Sequence, residues 1–180
     1  MSALTVGFLA GGKGHRLSGR DKGLLSRDGR LQIHLLCQTI PNWVSETIVN
    51  SPRNAYVYQL FCDRLVADYP INAGPVAGVL ALLYACDTDW LAVIPCDQNR
   101  IPAAWIAQWQ DTLETERQGI VATEGGRGTP LAILPKAALP MGQAYFDGGG
   151  RKLSEAYAAM GLSKRDFLGS GSDIDCWADL

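Results

Sequence analysis

Short, β-rich apolar runs alternate along the chain with longer segments of helical period. This alternation is typical of βαβ units, in which helices connect parallel strands and cover the sheet. We therefore expect an α/β protein with a parallel sheet. The predicted strands are Leu4–Leu9, Glu46–Asn50, Arg64–Ala67, Trp90–Pro95, Gly119–Thr123 and Pro130–Leu134. The predicted helices are Leu31–Ile40, Ala55–Cys62, Pro75–Ala85, Pro102–Glu116 and Lys152–Met160.

A single domain over residues 1–180 is the simplest organisation for a chain of this length. Two glycine-rich stretches, Gly125–Gly128 and Gly148–Gly150, are too short to separate domains. The apolar content of 47% and the charged content of 19% are ordinary for a globular protein. The formal net charge of −2 argues against a general nucleic-acid binder, because such a protein needs a broad basic surface.

The five cysteines are odd in number and contain no C-x-x-C pair. They therefore predict free thiols in a reducing compartment, not a disulfide framework or a zinc site. No apolar run approaches the ~20 residues of a membrane span, and the first residues do not resemble a signal peptide. We expect a soluble, cytoplasmic protein that has neither a nucleic acid nor a membrane as its partner.

The first predicted strand runs directly into a glycine-rich, cationic segment over residues 9–24. Glycines at the end of a buried strand let backbone N–H groups approach an anion closely. The positive charges that could neutralise this anion come from Arg16, Arg20 and Lys22. The segment favours a phosphate-bearing ligand, and the alternative is a surface turn with solvated charges.

Neither of two familiar phosphate-binding motifs fits this segment. Gly14 and Gly19 have the spacing of a P-loop, but Arg20 and Asp21 follow where Lys and Ser or Thr are required. A dinucleotide fingerprint that begins at Gly12 would need glycine or alanine at the position of Leu17.

Polar residues also follow the other predicted strands, at the edge of a parallel sheet where ligands bind. Asp97 ends an apolar strand and offers a carboxylate to Mg²⁺, which typically takes one or two carboxylates, waters and substrate phosphates. Its alternative role is to cap a helix, although the next predicted helix begins only near Pro102. Asp68 could accept N–H groups of a purine edge or could simply form a turn. Asn50 could bind a ribose or base, or could likewise be a turn residue.

Two further segments complete the candidate site. Gly74-Pro75 begins a predicted helix and could present free N–H groups to an anion or base. Arg151, which follows the triple glycine, could contact the phosphate of a second substrate. The alternative for Arg151 is a side chain that faces solvent.

Five segments together resemble the molybdenum cofactor guanylyltransferase family. The glycine-rich segment resembles its signature loop. The Asp-Lys-Gly-Leu ending and the Gly-Pro-x-Ala-Gly segment narrow the resemblance from the wider nucleotidyltransferase superfamily to this family. Similar motifs follow in the same order over nearly the whole chain. The matching segments are Leu9–Arg16 with Asp21–Leu24, Gly74–Gly78, Pro95–Asp97, Thr129–Ala132 and Gly150–Lys152.

This resemblance implies a Rossmann-like three-layer α/β fold with a mostly parallel central sheet. It also implies transfer of GMP from Mg-GTP to the phosphate of molybdopterin, with release of pyrophosphate and with Mg²⁺ as the cofactor. Arg16, Lys22 and Asp97 would be the catalytic residues, and Asp97 would bind the metal. The nucleotide would be held by Leu9, Ala10, Gly11, Gly12, Lys22, Asn50, Asp68 and Asp97. A molybdoenzyme or a cofactor-insertion protein would receive the product.

The sequence departs from the family near its C-terminus. The family pattern Asn-x-Asn-Thr-Pro is replaced by a segment in which Asp173 and Asp175 stand where neutral amides are usual. We assign these two carboxylates, with Arg151, to the molybdopterin side of the site. Two other functions stay open at this stage: a relative that uses CTP or a sugar-phosphate acceptor, and a non-catalytic protein that binds a nucleotide or cofactor.

Overall fold

The protein is described by a computed structural model over residues 3–10, 20–51, 53–68, 70, 73–98 and 101–166. Its strands are β1 (Leu4–Leu9), β2 (Ser26–Arg27), β3 (Arg30–Leu31), β4 (Glu46–Asn50), β5 (Arg64–Val66), β6 (Trp90–Pro95), β7 (Ile120–Glu124), β8 (Arg127–Pro135) and β9 (Ser163–Asp166). Its α-helices are α1 (Gln32–Cys37), α2 (Ala55–Tyr58), α3 (Pro75–Ala85), α4 (Ala103–Ala107), α5 (Trp109–Thr115), α6 (Leu139–Asp147) and α7 (Leu153–Ala159).

In the part of the chain that the structure describes, seven strands form one sheet in the order β5-β4-β1-β6-β8-β7-β9. Four of the pairings are parallel: β1 with β4, β1 with β6, β4 with β5, and β7 with β9. Only β8 runs in the opposite direction within this sheet, because it pairs antiparallel with both β6 and β7. The predicted mostly parallel sheet is confirmed.

Apolar side chains cover both faces of the sheet, as the all-apolar sequence of β6 requires. On one face, Ala92 and Ile94 pack in a cluster that includes Trp105 and Trp109 from α4 and α5. On the other face, Leu91 and Val93 pack with residues of α3, α6 and α7. Helices therefore flank the sheet on both sides, which confirms the three-layer α/β architecture.

Helix α6 and strand β9 were not predicted, and the structure gives the physical reasons. Helix α6 contains Pro140 and Gly142, which usually interrupt helices. Here the proline lies in the first turn, where its missing N–H is tolerated, and the glycine allows close packing against Leu80 and Met160. Strand β9 is entirely polar, and Arg165 anchors it by a 2.7 Å contact with Glu116.

Several predicted elements have different bounds in the structure. The predicted helix over residues 102–116 is divided at Gln108 into α4 and α5, and Pro102 immediately precedes α4. The short hairpin of β2 and β3 was predicted only as a turn at Asp28-Gly29, and both of these residues have positive φ.

The described cysteines agree with the predicted free thiols. Cys86 and Cys96 are buried, and Cys37 and Cys62 are partly buried, without a disulfide among these four. Burial, reinforced by neighbouring groups, raises the pKa of Cys37 to about 12 and that of Cys62 to about 11. Among the residues described, none of the helices has the length and apolar character needed to cross a bilayer.

Gly119 provides a direct test of the packing between β7 and its neighbours. A Cβ at this position would collide with the Ile133 carbonyl oxygen and would lie 3.0 Å from Pro135. Because backbone cannot move aside cheaply, we expect Gly119→Ala to lower the free energy of unfolding by about 1–3 kcal/mol in urea titrations. The matched control is Gly128→Ala in β8, where an added Cβ meets no atom within 4 Å. Equal stability of the two variants would contradict this packing account.

Candidate active site

Three neighbouring parallel strands end at the same level. Leu9 at the end of β1 is in register with Asn50 of β4 on one side and with Pro95 of β6 on the other. The ladder extends one residue beyond these ends: the Ala10 N–H donates to the Asn50 carbonyl at 2.8 Å, and the Cys96 N–H donates to the Leu9 carbonyl at 2.9 Å. The residues that follow the three strands are therefore brought together at one edge of the sheet.

An ion pair joins the segments that follow β1 and β6. Lys22 lies in a 3₁₀ turn, Lys22–Leu24, and its Nζ is 3.0 Å from Oδ2 of Asp97. The two side chains are 18% and 31% exposed, so both are partly shielded from water and still reachable by a ligand. They line a small depression of about 40 Å³ together with Leu9, Ala10, Asp21, Gly23 and Cys96.

A buried polar pair joins the segments that follow β4 and β5. The Asn50 amide donates to Oδ1 of Asp68 at 2.7 Å and, at 3.3 Å, to the Val66 carbonyl. Asn50 is 1% exposed and Asp68 is 6% exposed, so each depends on the other for its hydrogen bonding. Asn50 ends the strand that pairs directly with β1, so this pair lies at the same edge of the sheet as the ion pair.

Helix α3 approaches this buried pair closely. A Cβ at Gly78 would lie 2.6 Å from Oδ1 of Asn50 and 2.9 Å from Cδ2 of Leu9, so only glycine permits the observed contact. The helix begins after Gly74, whose φ of 91° is a conformation that side chains disfavour. Because α3 follows β5 and precedes β6, its first N–H groups lie at the edge where the strands end, as expected for Gly74-Pro75.

The donor set at Asp97 fits a single Mg²⁺ ion that is also bound by phosphate. One carboxylate, waters and nucleotide oxygens are the ligands that this ion typically takes. Among the described residues there is no group of three or more His, Cys, Asp or Glu that could hold a metal by protein ligands alone. The neighbouring Cys96 thiol stays protonated, because burial raises its pKa well above the ordinary value. The site thus offers charge neutralisation and one metal ligand, not a thiolate nucleophile.

Comparison with known proteins places this arrangement in a family. The MobA-like NTP transferase domain matches residues 6–160, which is most of the chain. A molybdenum cofactor guanylyltransferase of Cupriavidus necator is 35% identical over 161 residues, covering 84% of this chain and 80% of the relative.

The chain belongs to the MobA-like NTP transferase family.

Solved structures support the same fold at much lower sequence identity. Molybdopterin-guanine dinucleotide biosynthesis protein A of Archaeoglobus fulgidus has a TM-score of 0.76 at 15% identity, covering 97% of this chain and 94% of its own. A 4-diphosphocytidyl-2C-methyl-D-erythritol synthase of Anaerococcus prevotii has a TM-score of 0.75 at 10% identity, with coverage of 99% and 92%. The fold is therefore shared by enzymes with differently named products, and the family assignment rests on the sequence relatives.

The structure brings together the described part of the family's predicted nucleotide site. The predicted residues that the structure describes lie at or next to the carboxyl ends of β1, β4, β5 and β6. They are Leu9, Ala10, Lys22, Asn50, Asp68 and Asp97. The other predicted residues, Gly11, Gly12, Arg16, Asp173 and Asp175, lie outside the described residues, and their roles stay predictions.

Arg151 lies in the connection between α6 and α7. Strand β8 ends beside the start of β6, at the edge of the sheet opposite the site. Helix α6 follows β8 and runs back from that edge, so the connection after α6 lies towards the edge where β6 ends. The Arg151 guanidinium is 4.0 Å from the Phe146 ring centroid and donates to the Phe146 and Gly150 carbonyls, both at 2.7 Å. These contacts give the side chain a structural role at the end of α6, and its role toward molybdopterin stays a prediction.

The sequence did not predict a site role for Asp21, Asn54 or Tyr58. Asp21 accepts hydrogen bonds from Tyr58 at 2.6 Å and from Asn54 at 3.0 Å, directly beside Lys22. Asn54 and Tyr58 lie at the two ends of α2, 33 and 37 residues beyond Asp21. No local pattern indicates such a contact, although Asp21 itself belongs to the segment Asp21–Leu24 that resembles the family's signature loop.

The buried pair of Asn50 and Asp68 generates a pH-dependent prediction. Asn50→Asp places two buried carboxyls in contact, which raises their pKa because both cannot be charged together. The folded state then holds an extra proton near neutral pH, so stability falls as the pH rises from 5 to 8. We expect urea titrations to show a loss of about 2 kcal/mol or more at pH 8 and a smaller loss at pH 5.

A swap of the two groups is the matched control. The double variant Asn50→Asp/Asp68→Asn again sets one amide donor against one carboxylate, and it should recover most of the stability lost at pH 8. A pH-independent loss that the double variant does not reduce would contradict the paired arrangement.

Proposed function

We propose that this protein transfers GMP from GTP to the phosphate of molybdopterin, yielding a guanine dinucleotide form of the cofactor and pyrophosphate. The observation that carries the proposal is the convergence of Lys22, Asp97, Asn50 and Asp68 at one edge of the sheet in a MobA-like NTP transferase. Its curated relatives are named molybdenum cofactor guanylyltransferases.

The nucleotide base binds, in this proposal, against the buried pair. Oδ1 of Asp68 already accepts from Asn50, which leaves Oδ2 to accept N–H groups of the guanine edge. A site that contains a buried carboxylate rejects a base that lacks matching donors, because the carboxylate would be left without partners. Asp68 is thus proposed as the residue that selects the base, and Asn50 as the residue that orients Asp68.

The phosphates bind between the ends of β1 and β6. Leu9, Ala10, Gly11 and Gly12 are the proposed contacts with the nucleotide beside this position, and Lys22 and Arg16 would supply positive charge to its phosphates. Asp97 would hold Mg²⁺, and when bound the ion neutralises phosphate charge and favours pyrophosphate as the leaving group. The Lys22 ammonium lies 3.0 Å from Asp97, close enough to turn from the carboxylate to a phosphate oxygen when the nucleotide arrives.

The reaction requires alignment more than proton transfer. An oxygen of the molybdopterin phosphate is already anionic and attacks the α-phosphorus of GTP. A new phosphorus–oxygen bond forms while the bond to the β-phosphate breaks, and pyrophosphate leaves with the electron pair. Holding the two anions in line and neutralising their charge supplies the rate enhancement, so no general base is needed among the side chains.

The acceptor side is assigned to Arg151, Asp173 and Asp175. Arg151 would contact the molybdopterin phosphate, and the two aspartates would lie where the substrates meet. A molybdoenzyme or a cofactor-insertion protein is the proposed recipient of the product.

Nucleotide preference tests the proposal directly. The protein is incubated with Mg²⁺ and molybdopterin together with either GTP or CTP, and both pyrophosphate and the dinucleotide product are measured. We expect turnover with GTP and much slower turnover with CTP. A clear preference for CTP would overturn the guanylyl assignment, and no pyrophosphate with either nucleotide would overturn the enzymatic one.

Removing the metal-binding carboxylate is the second test. We expect Asp97→Asn to lower kcat for pyrophosphate release by about 100-fold, the loss typical of one electrostatic contact to a developing charge. The matched control is Asp87→Asn, because Asp87 lies before β6 at the opposite edge and its side chain is 79% exposed. Similar rates for the two variants would contradict the role of Asp97.

A further inference from the structure

The Asp21 carboxylate connects the segments that follow β1 and β4. Its Oδ1 accepts from the Gly23 N–H at 3.2 Å and from the Tyr58 hydroxyl at 2.6 Å, and its Oδ2 accepts from the Asn54 amide at 3.0 Å. All three donors are uncharged, and together they hold both oxygens of the carboxylate. Asp21 is therefore bound in place by its neighbours.

The Tyr58 hydroxyl is a hydrogen-bond donor to Asp21. Its side chain is fully buried, and burial, with further contributions from Cys96 and Asp21, raises the pKa of its phenol, so the hydroxyl keeps its proton. A Cβ at Gly23 would collide with the Tyr58 hydroxyl and would lie 2.9 Å from the Cβ of Cys96. The glycine beside Lys22 thus makes room for the tyrosine.

Asn54 reaches Asp21 from a constrained backbone position. It has a φ of 53°, in the left-handed region, and directly precedes α2. Left-handed backbone is uncommon for residues other than glycine, although asparagine tolerates it better than most. The position thus accepts glycine or asparagine, and asparagine supplies the amide that Asp21 binds.

We propose that Tyr58 and Asn54 are positioning residues that act through Asp21 to hold Lys22 toward Asp97 and the phosphate site. Asp21 caps the 3₁₀ turn in which Lys22 lies, so fixing the carboxylate fixes the turn and the start of the lysine side chain. A long, flexible lysine gains most from such fixation, because less conformational freedom is lost when it binds a phosphate. The inference deepens the proposed function, since it takes Lys22 to be the residue that contacts the nucleotide phosphates.

The test compares two buried tyrosines that each lose only a hydroxyl. Tyr58→Phe removes the donor to Asp21, and Tyr157→Phe is the matched control because its buried hydroxyl donates to the Pro130 carbonyl at 3.0 Å, away from Lys22. We expect Tyr58→Phe to lower kcat/KM for GTP by about tenfold, as for the loss of one hydrogen bond to a charged group, with Tyr157→Phe near wild type.

The accessibility of the Lys22 amine can be measured by chemical labelling without any substrate. Competitive acetylation with acetic anhydride, quantified by mass spectrometry, reports the accessibility of each amine, and Lys152, whose side chain is 69% exposed, serves as the internal reference. Tyr58→Phe should raise labelling of Lys22 severalfold relative to Lys152, and Tyr157→Phe should not. Lys22 labelling tests the positioning role even if the wild-type protein transfers no nucleotide. A failure of the positioning proposal can therefore be distinguished from a failure of the proposed function.

A second variant and a double-mutant cycle keep the inference falsifiable. Asn54→Gly retains the left-handed backbone, removes the other donor to Asp21, and should increase Lys22 labelling in the same direction. If Tyr58 acts through Lys22, the tenfold loss in kcat/KM disappears when Lys22→Ala is already present. Unchanged Lys22 labelling in both donor variants, or an equal loss in the Lys22→Ala background, would overturn the proposal.

Discussion

The register of β1 between β4 and β6 is the constraint on which the site depends. Leu9 is in register with Asn50 and with Pro95, so the residues that follow these three strands leave the sheet at the same edge. A slip of one residue would turn the core side chains Leu4, Val6 and Phe8 to the opposite face, so burial enforces this register. The geometry of the site is thus a consequence of how the core is packed.

The polar groups of the site are partnered with one another in the structure. Lys22 pairs with Asp97, Asn50 pairs with Asp68, and Asp21 is held by Tyr58 and Asn54. The two kinds of pair differ in burial: the Lys22–Asp97 pair is partly exposed, and the Asn50–Asp68 pair is almost fully enclosed. The exposed pair can therefore exchange partners with a charged ligand, whereas the enclosed pair is a fixed polar surface, which we propose to select the base.

Much of the fold, and several residues of the candidate site, could be predicted from the sequence. β1, β4, β6 and α3 have the predicted bounds, because the strands are apolar or β-branched and Gly74-Pro75 marks the start of the helix. Asn50, Asp68 and Asp97 were located by the rule that ligands bind at the carboxyl ends of parallel strands. Helix α6 and strand β9 were missed because their stability comes from tertiary contacts at Gly142 and Arg165. The contact of Asp21 with Tyr58 spans 37 residues and leaves no local pattern to detect.

The most direct test of the account is a crystal structure of the protein with Mg²⁺ and a non-hydrolysable GTP analogue. We predict that the phosphates lie between Lys22 and Asp97, with the Lys22 ammonium bound to a phosphate oxygen and the metal bound to Asp97. The guanine edge should donate to Asp68. Phosphates bound away from the ends of β1 and β6, or a base turned away from Asp68, would contradict the account.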